Sequence, residues 1–160
     1  MVKICLINTS GMTFKQKTHN HYLQLITDKV QQLQQILTDL KESGMNETKS
    51  TAGDKHETAL AMLQIEQANV RQQLKDAQTQ KAVMEKINPL LSPAFVVNGS
   101  LIKTNKGYFF VSVALGKAMI AGNRVIALSQ KSPLGMQLMG LSVGEAAVVN
   151  NFRYLVESIE

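Results

Sequence analysis

The sequence predicts an α+β protein in which a helical hairpin precedes a small antiparallel β-sheet domain with one short helix. Two apolar stripes with helical spacing occupy the first half, and short β-rich runs separated by turn residues occupy the second. Phe and Tyr largely avoid residues 23–94, which separates the two halves by composition. The predicted boundaries are an N-terminal extension at 1–17, the hairpin at 18–88, a linker at 89–97 and the sheet domain at 98–160.

The first apolar stripe begins after Thr18 and follows a heptad repeat. Its members are separated by steps of 3, 4, 3, 4 and 3 residues: Leu23, Ile26, Val30, Leu33, Leu37 and Leu40. This spacing keeps one side of a helix directed at a partner helix. Gly44 follows the stripe and predicts the end of the helix.

The second stripe has a similar length and is predicted to pack on the first. Its apolar members are Leu60, Leu63, Val70, Leu74, Ala77 and Met84, interrupted by Gln67 and Lys81. Asp54 is predicted to open this helix, and Asn88-Pro89 to end it, because a residue before proline is disfavoured in helical geometry. Two stripes joined by a polar loop at 45–53 favour an antiparallel pair. Packing into a globular bundle or against another subunit is the alternative.

Six strands and one helix are predicted after the linker. The strands are Ser100–Thr104, Tyr108–Leu115, Lys117–Ala121, Arg124–Leu128, Ala146–Val149 and Phe152–Ile159. Gly122-Asn123 lies between two alternating runs and predicts a hairpin turn. The helix is predicted at Pro133–Met139, with Ser132 as its N-cap and Pro133 at its first position.

Composition and charge exclude several classes of protein. The apolar fraction of 44% is that of a folded soluble chain, and the single cysteine, Cys5, excludes an internal disulfide framework. No run approaches the 18 apolar residues of a membrane span. The net charge of +5 allows contact with an acidic surface or a nucleic acid without indicating either. Because a single cysteine fits a reducing compartment and no membrane span is expected, we expect a cytoplasmic protein.

Asp54 and Glu57 are the strongest candidates for chemistry, and their spacing has two interpretations. Aspartate at an N-cap and glutamate three residues later form a capping box, which is a purely structural role. The two carboxylates are also hard oxygen ligands suited to Mg²⁺, but they are too few to hold an ion alone. The sequence therefore predicts no cofactor bound to the isolated chain, and any Mg²⁺ would be shared with a partner.

Lysines near these carboxylates are a weaker signal. Lys49 and Lys55 are candidates for contact with phosphate groups, although a solvated basic surface is the more common outcome for such scattered charges. The chain has no Gly-rich phosphate loop and no nucleophile elbow. We therefore expect that it is not a self-contained enzyme.

Two short motifs carry a resemblance to a known family. One is Ser132-Pro133-Leu134-Gly135-Met136-Gln137-Leu138-Met139-Gly140 followed by Val143-Gly144-Glu145, and the other is Gly53-Asp54-Lys55-His56-Glu57-Thr58-Ala59. They resemble the carboxy-terminal signature and the hairpin-tip motif of the Gre transcript-cleavage factors. The order of parts agrees as well, since that family has a coiled-coil hairpin followed by an FKBP-like domain. The resemblance covers roughly residues 20–160.

The resemblance implies a partner and a reaction. Gre factors bind bacterial RNA polymerase at its secondary channel and stimulate cleavage of backtracked RNA. Asp54 and Glu57 would then share Mg²⁺ with the polymerase and help orient the attacking water, in a two-metal reaction. Ser132, Pro133, Leu134 and Gly135 correspond to the polymerase-docking surface, or form a turn needed only for folding. The expected state is a monomer that contacts nascent RNA and DNA only indirectly.

Three alternatives remain open at this stage. The chain departs from the family pattern at Thr58 and at Leu60-Ala61, so the runner-up is a regulator or inhibitor that occupies the channel without cleavage activity. A protein of a different class, a coiled-coil scaffold, would pair the hairpin with a second chain. Prolyl isomerase activity is suggested only by the FKBP-like fold, and the chain has no tryptophan to form the floor of that pocket.

Overall fold

The computed structural model describes residues 11–47 and 53–160. Two long helices come first, α1 (Phe14–Glu47) and α2 (Gly53–Lys86). They are followed by β1 (Leu101–Thr104), β2 (Gly107–Ser112), β3 (Gly116–Ile120), β4 (Asn123–Ser129), α3 (Pro133–Leu138), β5 (Ala146–Val149) and β6 (Phe152–Ile159). The predicted α+β class, with two long helices before a sheet and one short helix, is confirmed.

Both ends of α1 differ from the prediction for local reasons. The helix begins at Phe14 because Thr13 and Gln16 form a capping box that the sequence analysis missed. The Thr13 hydroxyl accepts from the Gln16 backbone N at 3.2 Å, and the Gln16 side chain accepts from the Thr13 backbone N at 2.8 Å. At the other end, α1 continues through Gly44, where a Cβ atom would lie 3.2 Å from Leu63 Cδ2. Gly44 therefore marks a close approach of the two helices.

Residues 24–82 form one compact unit, in which the predicted stripes are the buried sides of the two helices. Ile26, Val30 and Leu33 of α1 are buried, as are Val70 and Ala77 of α2. The other members within this unit are half-buried: Leu37, Leu40, Leu60, Leu63 and Leu74. The Gln67 side chain donates to the Leu40 carbonyl at 3.1 Å, which fixes the register of an antiparallel pair.

The rest of the described chain forms a second compact unit around a six-stranded sheet. The strand order is β3-β4-β2-β1-β6-β5. The neighbours are antiparallel except β2 and β4, which are parallel from Tyr108↔Val125 to Ser112↔Ser129. The sequence predicted a purely antiparallel sheet. The difference arises because β3 occupies the edge of the sheet and the tight turn after it reverses the chain. β4 therefore lies between β3 and β2 and runs in the same direction as β2.

The turn between β3 and β4 is shifted from the predicted Gly122-Asn123. Its two central residues are Ala121 and Gly122, with φ angles of 48° and 78°, and Asn123 already belongs to β4. Two consecutive positive φ angles are typical of a type I′ hairpin turn. Alanine is strained in this conformation because its Cβ approaches the following carbonyl.

Side chains are buried on both faces of the sheet. One face packs against the first turns of α1 and the last turn of α2, through a cluster that contains Tyr22, Met84 and Phe110. The other face packs against α3, through a cluster that contains Ile102, Phe109 and Leu138. The sequence predicted a single helix on this sheet and assigned residues 14–17 to an extension. In the structure Lys15 and Thr18 are buried within the sheet unit.

Among the described residues, no helix combines the length and hydropathy needed to cross a membrane.

Candidate functional site

The predicted carboxylates lie at the beginning of α2. The helix begins at Gly53, so Asp54 is inside its first turn rather than at the N-cap position that the sequence predicted. Glu57 follows one turn later and is exposed. Residues three apart lie on the same side of a helix, so the backbone places positions 54 and 57 next to each other. Lys55 lies between them in the helix, whereas Lys49 lies outside the described residues.

This arrangement suits a shared ion better than a self-contained site. Among the residues whose side chains the structure describes, no group of three or more His, Cys, Asp or Glu is placed to hold a metal ion. Two carboxylates one turn apart can fill only part of the six-oxygen shell that Mg²⁺ requires. The donor set therefore fits an ion whose remaining ligands come from water and from another molecule.

The second predicted site surrounds the start of α3. The predicted N-cap and the proline at the first helical position are confirmed there. Ser132 is the N-cap, and Pro133 follows at the first helical position. The Ser132 hydroxyl accepts from the Gly135 backbone N at 3.0 Å and donates to the Ser129 carbonyl at 2.7 Å. These bonds join the helix to the end of β4, so Ser132 has a structural role whatever it contacts outside the chain.

Gly135 is required here by close packing. A Cβ atom at this position would lie 2.1 Å from the Ser129 carbonyl oxygen and 2.9 Å from the Ser132 hydroxyl. The residue is buried, so it offers no side chain or surface to a partner. Of the four predicted docking residues, Pro133 is exposed and both Ser132 and Leu134 are half-buried, so these three are able to contact a partner.

Pro133 and Leu134 line an open apolar groove between α3 and the sheet. The opposite wall is formed by side chains of β2, β4 and β6, including Phe109, Ile126 and Tyr154. The rings of Phe109 and Tyr154 pack edge to face with centroids 5.7 Å apart. Lys106 places a cation among the lining residues. The structure thus joins part of the predicted docking motif to an aromatic surface.

The sheet residues of this groove carry no signal in the sequence that marks them as a site. Strand alternation predicts which residues of one strand share a face. It does not predict that β2 pairs with β4 in parallel, and this pairing brings Ile126 beside Phe109. No local signal specifies that neighbour.

The two compact units carry different charges. Residues 24–82 contain seven Lys and Arg and eight Asp and Glu. The described part of the sheet unit, residues 11–23 and 83–160, contains nine Lys and Arg and four Glu. The groove therefore belongs to a basic unit, whereas the candidate carboxylates belong to a nearly neutral one.

Comparisons with known proteins find a distant structural likeness. No protein-family model matches the chain, and no curated protein sequence matches it. The structure is similar to a solved structure of the transcription factor Gfh1, with 13% sequence identity and a TM-score of 0.35. The likeness covers 86% of this chain and 92% of that chain. At this TM-score it carries no conclusion about function.

Proposed function

We propose that this protein is a Gre-like transcription factor that binds bacterial RNA polymerase and stimulates cleavage of backtracked RNA. The observation that carries the proposal is the position of Glu57. It is exposed and lies near the connected end of two helices whose apolar residues are directed at each other. The motif resemblance at residues 53–59 and 132–145 supports the same function.

In this proposal the helix pair enters the secondary channel and Asp54 and Glu57 act at the polymerase active centre. Mg²⁺, when bound between these carboxylates and the polymerase, would supply charge stabilisation for phosphodiester hydrolysis. Glu57 would accept a hydrogen bond from the attacking water and orient it. The pair of carboxylates adds ligands to the polymerase, so the chain itself remains a non-enzyme. Lys49 and Lys55 are proposed to contact RNA phosphates.

The groove beside α3 is proposed as the docking surface for the polymerase. Pro133 and Leu134 offer apolar contacts at its rim, and Tyr154, which packs on the buried ring of Phe109, adds an aromatic residue of the kind common at the centre of protein interfaces. Ser132 and Gly135 would act by holding α3 in place. Docking and chemistry then depend on separate residues, which allows them to be tested separately.

A transcript-cleavage assay on backtracked polymerase complexes tests the chemistry. Asp54→Ala and Glu57→Ala are each expected to reduce cleavage by at least about a hundredfold, the usual loss when a group that stabilises the transition state is removed. Binding to the polymerase should stay unchanged. Glu66→Ala is the matched control, because Glu66 is an exposed carboxylate farther along the same helix. If the two variants cleave as well as the parent protein, the catalytic assignment is wrong.

Co-purification with polymerase tests the docking surface. Leu134→Asp places a charge in the groove and is expected to weaken binding about tenfold or more, whereas Met136→Asp on the exposed side of α3 serves as the control. Loss of binding by both variants or by neither would contradict the assignment of the groove. Binding without any cleavage by the parent protein would instead support a channel-occupying regulator.

A coiled-coil scaffold is the second candidate, and one observation favours it. Met62 and Ile65 of α2 are 67% and 62% exposed, away from the buried stripe. These side chains offer an apolar contact to another chain. Sedimentation equilibrium distinguishes the candidates, because a stable dimer that is lost in a Met62→Lys, Ile65→Lys double variant supports the scaffold. A monomer at all concentrations supports the transcription factor.

A further inference from the structure

The sheet unit contains a cavity of about 220 Å³ that neither motif accounts for. It lies beside the segment that joins α2 to β1. Lys15 and Lys86 line it together with the amide side chains of Asn88 and Asn98. The remaining lining is mainly apolar and includes Ile87, Leu91, Pro93 and Val97. The described residues that line the cavity include no carboxylate, and Glu160 lies outside the lining although it attracts the charge of Lys15.

Lys15 is a charged residue that is buried beside this cavity. The residue is only 3% exposed, and its ammonium group donates to the backbone carbonyl of Leu91. That carbonyl accepts one of three ammonium protons. Burial lowers the pKa of Lys15, and the attraction of Glu160 raises this pKa by less than burial lowers it. An anion in the cavity would stabilise the charged form that burial disfavours.

The other polar groups of the cavity are suited to the same ligand. Lys86 is exposed and supplies a second cation. The Asn88 side-chain oxygen accepts from the Leu90 backbone N at 3.0 Å, so its NH₂ group is the side that can donate to a ligand. Two ammonium groups and amide donors around an apolar wall match an oxyanion attached to a small carbon skeleton.

We propose that this cavity binds a small phosphorylated ligand, with Lys15 and Lys86 as its charge partners. Two cations balance the charge of a phosphoryl dianion, and Ile87 and Val97 contact the carbon part of the ligand. The dimensions suit a compact metabolite rather than a polymer. The site belongs entirely to the sheet unit and does not depend on binding to a polymerase.

Thermal unfolding of the full chain in inorganic phosphate tests the proposal. At constant ionic strength, phosphate is expected to raise the unfolding temperature saturably, because a ligand that binds only the folded state stabilises it. Lys15→Met and Lys86→Met should each weaken phosphate binding about tenfold or more. Lys117→Met is the matched control, since Lys117 is an exposed lysine on β3 that does not line the cavity.

Nuclear magnetic resonance gives a second measurement that locates the ligand. Phosphate should shift the side-chain amide signals of Asn88 and Asn98 with the same midpoint as the unfolding data. Lys86→Met keeps the test valid if Lys15→Met does not fold, because Lys86 is exposed. Phosphate binding by Lys86→Met that equals binding by the parent protein would overturn the proposal. An equal and non-saturable effect of phosphate on every variant would overturn it as well, and stronger binding of acetate would overturn the phosphoryl assignment.

Discussion

The helix pair at 24–82 and the sheet unit bury their apolar side chains in different ways. The helix pair buries one stripe per helix, and about half of the residues in these stripes are only half-buried. The sheet unit buries residues on both faces of the sheet, among them Phe110, Ile102 and Val156, which are fully buried. Burial of apolar area is the main stabilising contribution to folding. Single substitutions should therefore cost more in the sheet unit than in the helix pair.

The largest expected effect comes from Phe110→Ala. Phe110 is fully buried, and its ring stacks on Tyr22 with centroids 6.1 Å apart. We expect the free energy of unfolding to fall by about 4 kcal/mol, because a large cavity is created. Leu40→Ala in the half-buried stripe should cost about 1–2 kcal/mol. Urea unfolding of both variants measures the two losses in the free energy of unfolding. Equal losses would contradict the expected difference between the two units.

Gly135→Ala should destabilise the sheet unit by about 3 kcal/mol. The added methyl group would lie 2.1 Å from the Ser129 carbonyl oxygen, and backbone cannot move aside as a flexible side chain can. Met136→Ala is the control, because Met136 is 59% exposed and its truncation should change stability by less than about 0.5 kcal/mol. Hydrogen exchange at α3 and β4 would locate the loss. Unchanged protection there would contradict the close packing.

Gly44→Ala should raise the free energy of unfolding, whereas Gly135→Ala should lower it. This difference sharpens the contrast between the two regions. Alanine is favoured over glycine inside a helix by up to about 1 kcal/mol. The new methyl group would meet Leu63 Cδ2 at 3.2 Å, and this half-buried side chain can shift by the small distance needed. We expect a slightly higher midpoint of urea unfolding. A loss of stability would mean that the helix pair is packed as rigidly as the sheet unit.

Tyr22→Phe should reduce stability by about 1 kcal/mol at neutral pH. The phenol lies 2.9 Å from the Gly116 carbonyl oxygen and 3.1 Å from that of Val125, and the variant loses this hydrogen bonding. Burial raises the pKa of Tyr22 above its ordinary value. As pH rises through about 10, the tyrosine of the unfolded chain ionises first, so stability falls with pH.

Measurements of unfolding at several pH values separate the contribution of the Tyr22 hydroxyl from those of other titrating groups. The advantage of the parent protein over Tyr22→Phe should be fully present below the unfolded pKa and lost as pH rises through the folded pKa. Lys15, whose pKa burial lowers, contributes equally to both proteins. A difference that stays constant through this range would show that the phenol is not protected from ionisation.

The smallest expected effect is a gain of about 0.5 kcal/mol in Ala121→Asn. Ala121 has a φ angle of 48°, and asparagine tolerates this left-handed conformation better than alanine. The resulting Asn-Gly pair is the preferred sequence of a type I′ turn. Thermal unfolding measures the gain. Asn123→Ala is the control, because Asn123 lies outside the two central positions of the turn. A loss of stability in Ala121→Asn would contradict the assigned turn.

Local patterns predicted the elements of this protein well because their causes are local. The heptad spacing identified the buried stripes, and the second stripe includes the position of Gln67, which donates to the Leu40 carbonyl in the structure. Ser132 and Pro133 were identified as the start of α3, since capping depends on neighbours three residues away. The start of α1 was equally readable in Thr13 and Gln16, but that capping box was overlooked. The catalytic roles of Asp54 and Glu57 stay predictions.

The sequence by itself determined which residues form helices and strands and which side of each long helix is apolar. Only the tertiary structure decided the parallel pairing of β2 with β4, the burial of Lys15 and the composition of the groove beside α3. It also placed His19 Nε2 2.8 Å from the Met84 carbonyl oxygen, near the end of α2. The physical reason is distance along the chain. Periodicity and capping act within a few residues, whereas these contacts join residues far apart, whose meeting depends on how the whole core packs.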